Sequence, residues 1–176
     1  MLRFSAMHIG GQKCCVSLID AVENGHPDCM NQLLVEDAGV AVWADVQDTY
    51  GRTALMLASQ KGEEECVVLL LGANAGVDVH DKNGTTALML ASQEGEEACV
   101  GLLLGANAGV DVQDKGGWTA LMWASWMGEE ACVGLLLGAN AGTHFEDDKG
   151  DTALDLARDR GHDECARLIE EAEASR

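Results

Sequence analysis

Seven cysteines, five histidines and thirty aspartates and glutamates give this 176-residue chain many groups capable of chemistry. Cysteines could ligate a soft metal, pair as disulfides or act as nucleophiles, and paired carboxylates could exchange protons or hold calcium. Spacing decides among these. Cys66, Cys99, Cys132 and Cys165 stand 33 residues apart, and Cys29 fills the matching place in an earlier copy. If the copies stack as packed helices, equivalent residues lie about 8–10 Å apart, whereas a disulfide needs Cα atoms within about 7 Å. The column therefore reads as small buried hydrophobes, suited to a reducing cytosol or nucleus. The adjacent Cys14 and Cys15 lack metal-ligand spacing and a second pair to complete a site.

The carboxylates point the same way. Glu96 and Glu97 follow Gly95, and acids in that place suit the first turn of a helix, where the backbone dipole favours negative charge. The stretch HFEDDKGD over His144–Asp151 gathers acids without the alternating ligand spacing of a calcium loop, and reads as a solvated turn. The histidines are scattered, and there is no phosphate-binding glycine loop, HExxH or G-x-S-x-G. The expectation is a chain with no catalytic residues, no metal and no cofactor.

What recurs is the text around these groups. Asp78–Val110 repeats Asp45–Val77 before it and Asp111–Thr143 after it, with a divergent copy over His144–Glu173. A period of 33 residues is the signature of a stacked array, each unit burying its apolar face on its neighbours. The stretch from Cys14 matches the helical part of a unit at an offset of 37, pairing Leu18 with Leu55, Cys29 with Cys66 and Leu33 with Leu70. Its four extra residues fall in the following loop, which carries Trp43. The resulting organisation is a flexible leader at 1–13, a repeat domain at 14–173 and a tail at 174–176. The units run 14–44, 45–77, 78–110, 111–143 and 144–173, the first and last serving as caps. Asp155, Arg158, Asp159, Arg160 and Arg167 give the last unit the polar outer face a terminal cap needs.

Within the middle unit, Asp81–Gly84 has turn chemistry, and Thr86 is placed to cap a helix whose Ala87, Leu88 and Ala91 share one apolar face. Gly95 ends that helix. Cys99, Val100, Leu102 and Leu103 form the buried face of a second. Helices of two or three turns do not persist alone in water, so stacking must supply their stability. Gly101 and Gly134, mid-helix, each cost about 0.5–1 kcal/mol relative to alanine.

Net charge is -19 with pI near 4.3, which argues against nucleic acid and against anionic membrane. Its plain consequence is solubility, and its sharper one is a preference for a basic partner surface. No run approaches the roughly 18 apolar residues of a membrane span, and the N-terminal stretch lacks the apolar core of a secretory signal.

These residues resemble the ankyrin repeat. The family motif T-P-L-H appears as Thr53-Ala54-Leu55-Met56, Thr86-Ala87-Leu88-Met89, Thr119-Ala120-Leu121-Met122 and Thr152-Ala153-Leu154-Asp155. The resemblance implies an all-α solenoid of helix–turn–helix units with β-turn fingers, acting as a monomeric binding scaffold through the concave surface of turns and first helices. His26 and His162 follow the inter-helix glycine, where the family often has histidine. Two departures stand out. The proline and histidine of the motif are replaced, so the histidine's hydrogen bonds between units should be missing. Asn74, Asn107 and Asn140 stand where the family usually has glycine, asparagine being the next most tolerant left-handed residue.

Differences between units mark where function should sit. The second and third units differ at Thr49/Lys82, Tyr50/Asn83, Arg52/Thr85 and Lys61/Glu94, among others, mostly on turn tips and the exposed end of the first helix. The third and fourth differ at Thr85/Trp118, Leu90/Trp123, Gln93/Trp126 and Glu94/Met127. Drift explains scattered polar exchanges; it explains poorly why one unit gains Trp118, Trp126 and Met127 on the same predicted face. Interfaces are enriched in Trp and Met. The expected partner-binding residues are Tyr50, Arg52, Lys61, Thr85, Glu94, Trp118, Trp123, Trp126 and Met127. Trp118, Trp126 and Met127 are the anchors, Trp123 is partly core, and Tyr50, Arg52 and Lys61 form a basic shoulder. The reading is a non-catalytic adaptor or inhibitor that binds another protein. The alternative is a regulatory or substrate-receptor subunit of an enzyme complex such as a ubiquitin ligase.

Overall fold

Threonine starts the first helix of each unit from residue 45 onward for one reason: its hydroxyl accepts the backbone N–H three residues on, which the helix itself leaves unpaired. Thr53, Thr86, Thr119 and Thr152 do this at 3.3–3.4 Å. The computed structural model describes residues 17–26, 28 and 44–175, with the backbone of 8–9 and 12–13. Cys14, Cys15, Cys29, Leu33 and Trp43 lie outside the described residues.

Two short strands, β1 (His8–Ile9) and β2 (Gln12–Lys13), pair antiparallel. The helices described are α1 (Leu18–Glu23), α2 (Ala54–Gln60), α3 (Glu64–Gly72), α4 (Ala87–Glu94) and α5 (Glu97–Gly105). They continue as α6 (Ala120–Met127), α7 (Glu130–Gly138), α8 (Ala153–Arg160) and α9 (Asp163–Ala174). The first helices α1, α2, α4, α6 and α8 stack in one row, and the second helices α3, α5, α7 and α9 in another. The chain is an all-α repeat solenoid.

The core runs between the rows. Leu55, Leu88 and Leu121 from one row meet Leu70, Leu103 and Leu136 from the other, all essentially without exposure. The four described cysteines are buried free thiols in the same column. Leu102 departs from expectation: it is only half-buried and lines a shallow groove between α3 and α5 with Val68, Gly101 and Gly105. The second helix turns its Cys-Val-Leu stripe inward, and a residue one place before Leu103 sits about 100° around the helix from it.

Methionine occupies the place of the motif's histidine and is buried at 56, 89 and 122. The sulfurs of Met56 and Met122 accept the capping threonine's own N–H at 3.5 and 3.4 Å, a weak version of the capping box. In the last unit Asp155 takes that role.

Each finger turn is held by an aspartate. Asp81 Oδ1 accepts the N–H groups of Asn83 and Thr85 at 2.7 and 2.9 Å, and an isolated bridge pairs His80 with Thr86. Successive fingers are joined by backbone bonds, Lys82 N to Tyr50 O, Lys115 N to Asn83 O and Asp148 N to Gly116 O, at 2.9–3.1 Å. A second tie links units through the loops, where Asp78 Oδ1 accepts Gly109 N–H at 2.8 Å. Asn74, Asn107 and Asn140 adopt the left-handed conformation, with φ of 61°, 62° and 63°.

Candidate functional site

The finger turns and the first-helix row carry most of the residues that differ between units, and the fourth unit shows how they are assembled. Trp118 immediately precedes the capping Thr119, and Trp123 is the fourth residue of α6. Apolar side chains at those two places meet across a helix start as a hydrophobic staple. Their ring centroids lie 4.5 Å apart, tilted by 42°. Trp126, one turn further along, meets Trp118 edge-on at 5.6 Å and 84°. Such pairs add about 0.5–1.5 kcal/mol beyond burial.

All three tryptophans are half-buried and pack on the core. Trp123 is therefore partly core as expected, and Trp118 and Trp126 share that condition because the staple and the edge contact fold them against the helix. Met127 remains 43% exposed. Trp123 Nε1 is buried without a hydrogen-bond acceptor.

The other face of the cluster comes from the next unit. The Arg160 guanidinium lies over the Trp126 ring, 3.2 Å from its centroid. His162 Nε2 lies 3.2 Å from the Trp126 carbonyl. A carbonyl only accepts, so the ring proton sits on that nitrogen. Neither Arg160 nor His162 was singled out from sequence as part of the site. The signal was in the period: Arg160 stands 33 residues after Met127, so it occupies the end of the neighbouring first helix.

The remaining candidates divide. Tyr50 is 66% exposed on its finger, with the Arg52 guanidinium 5.2 Å from its ring centroid. Arg52 is also tied to Asp48 at 2.7 Å, which neutralises its charge locally. Burial alone would raise the Asp48 carboxyl, but hydrogen bonds from the Arg52 backbone and guanidinium and from Tyr50 N–H hold it below its ordinary value. Lys61 is turned elsewhere: its ammonium donates to the Glu23 and Val22 carbonyls at 2.9 and 3.4 Å, closing the end of α1. The structure thus brings Tyr50 and Arg52 together and commits Lys61 to the preceding helix. Thr85 is held in its turn by Asp81, and exposed Glu94 accepts from Gln60 Nε2 at 3.4 Å.

The arrangement offers aromatic and apolar contact but little reactivity. Cys99, Cys132 and Cys165 are pushed up to about 11 by burial and by neighbouring glutamates, which disfavours the nucleophilic thiolate. Among the described residues no group of three His, Cys, Asp or Glu could hold a metal ion, and no helix is long and apolar enough to cross a membrane.

The family model for ankyrin repeats (3 copies) matches residues 18–115, 65–146 and 99–175. The chain belongs to the ankyrin-repeat family. No curated protein matches it. Ankyrin repeats are generally protein–protein interaction modules, and in this ankyrin array the unit that gains large apolar side chains on the turn and first-helix side, relative to the two units before it, is the one holding Trp118, Trp126 and Met127.

Proposed function

We propose that this chain is a non-catalytic interaction module that binds another protein through the turn and first-helix surface of residues 118–127. One observation carries the reading: three tryptophans are gathered on one unit, where its sibling has Thr85, Leu90 and Gln93, and an exposed methionine stands beside them. Large aromatic groups held rigid by their neighbours lose little entropy on binding, and such residues dominate interface energetics. Trp118 and Trp123 form the floor, and Trp126 and Met127 present the contact. Tyr50 and Arg52 on the second finger and Thr85 and Glu94 on the third unit extend the surface toward the N-terminal end.

Affinity capture with the full chain tests this. Trp126→Ala and Met127→Ala should each deplete the captured partner by at least about tenfold, as expected for a residue worth about 1.4 kcal/mol or more. Circular dichroism should meanwhile show an unchanged helical signal. Capture that survives both substitutions would remove the site.

A further inference from the structure

Three arginines of the last unit are held in two different ways. Arg158 pairs with Glu170 at 2.5 Å, and Arg167 pairs with Glu164 and Glu171. Arg160 is exposed, makes no ion pair among the described residues, and rests on the Trp126 indole. We propose that this indole face is a cation subsite for a basic peptide segment of the partner, and that Arg160 is its resident occupant, displaced by a partner arginine. The proposal rests on the reading of residues 118–127 as the binding face.

The surroundings of Arg160 and the nature of a guanidinium support that chemistry. A guanidinium is planar and weakly hydrated, so one stacked on an indole can be replaced by another with the same geometry. Arg160 leaves no buried carboxylate behind, whereas freeing Arg158 or Arg167 would break ion pairs. The net charge of -19 favours a cation, and acids are frequent in the neighbouring sequence: Asp159 and Asp163 lie either side of Arg160, Glu129 and Glu130 follow Met127, and exposed Glu94 ends the preceding first helix. The carbonyl end of α6, which has no basic residue in its last turn, adds partial negative charge. Trp118 stands at 84° to Trp126, giving a second aromatic wall, and exposed Met127 can meet the aliphatic stem of an incoming side chain.

Calorimetric titration of the full chain with a capped peptide of alternating glycine and arginine tests the idea, the matching glycine–glutamate peptide serving as control. Arg160→Ala should tighten the arginine peptide about threefold, the ratio expected from removing a surface cation–π competitor. Arg160→Gln, which keeps the side-chain stem, should do the same, and Trp126→Leu should weaken binding below that of the unsubstituted chain. Unchanged or weaker binding in both Arg160 variants, with cooperative melting retained, would overturn the proposal by making Arg160 a pin of the cap. So would unchanged binding in Trp126→Leu, since net charge alone would then explain the attraction. Partner capture separates this from the underlying reading: loss of capture in Trp126→Ala with indifferent peptide titrations rejects the cation subsite and keeps the face, while intact capture rejects the face.

Discussion

The Arg160 guanidinium lies 3.2 Å from the Trp126 ring centroid, across an interval of 34 residues. Gln60 and Glu94 meet across the same interval, Nε2 donating to Oε1 at 3.4 Å. A side chain near the end of one first helix therefore meets the residue one place further along in the next unit. Lys61 obeys the same rule toward α1: it reaches the Glu23 carbonyl 38 residues back, the four extra residues of the first loop accounting for the longer interval.

Stability should register the Trp126 contact weakly from one side and more strongly from the other. Arg160→Ala removes a surface cation–π contact and should cost about 0.5–1 kcal/mol. Trp126→Ala also removes apolar area packed on the core and should cost about 1–2 kcal/mol. Urea unfolding of both single variants and the double variant checks this, a sub-additive double variant being the expected sign of coupling.

Two glycines should respond oppositely to alanine. Gly84 has φ of 86°, and a Cβ there would lie 3.1 Å from the backbone of Asp114 and Lys115 in the next finger. Gly84→Ala should cost about 1–3 kcal/mol through left-handed strain and the lost inter-finger fit. Gly101 lies in the middle of α5 with open space around the missing Cβ, so Gly101→Ala should stabilise by about 0.5–1 kcal/mol. Thermal melts of the two variants should move in opposite directions.

High pH should loosen the array. The buried thiols of Cys99, Cys132 and Cys165 are raised from 9.0 to about 11. Through that window the unfolded chain releases protons that the folded chain retains, so stability falls as pH rises from 9 to 11. Below the window this contribution is fully present. Urea midpoints measured at pH 8 and at pH 10.5 should show the drop, and replacing the three cysteines by alanine should flatten it.

Asn107, with φ of 62°, should tolerate glycine and resist alanine. Asn107→Gly should change stability by no more than a few tenths of a kcal/mol, and Asn107→Ala should cost about 1 kcal/mol because a Cβ without a local hydrogen bond is strained there. Denaturant midpoints for the pair distinguish a left-handed requirement from a side-chain contact, which both substitutions would remove equally.

The fold was legible because its causes are local and repeated. Thr86 before an Ala-Leu pair, Gly95 at φ of 75° and a column of small thiols each act within a few residues, and the 33-residue period repeats the information. Leu102 escaped because apolar identity alone does not distinguish the inner stripe of a short helix from its shoulder. Arg160 escaped because an arginine at the exposed end of a helix reads as solvated surface until the residue beneath it is known. Lys61 likewise reads from sequence as free for a partner, whereas its ammonium closes the end of α1.

By itself, then, the sequence determined the period, the helix starts and stops, the buried columns and the unit in which the tryptophans gather, since these follow from backbone chemistry and side-chain patterning within a unit. Tertiary structure alone decided which side chain of one unit covers which side chain of the next. Stacking sets that register, and it places Arg160 on the indole face that Trp126 would otherwise present to solvent.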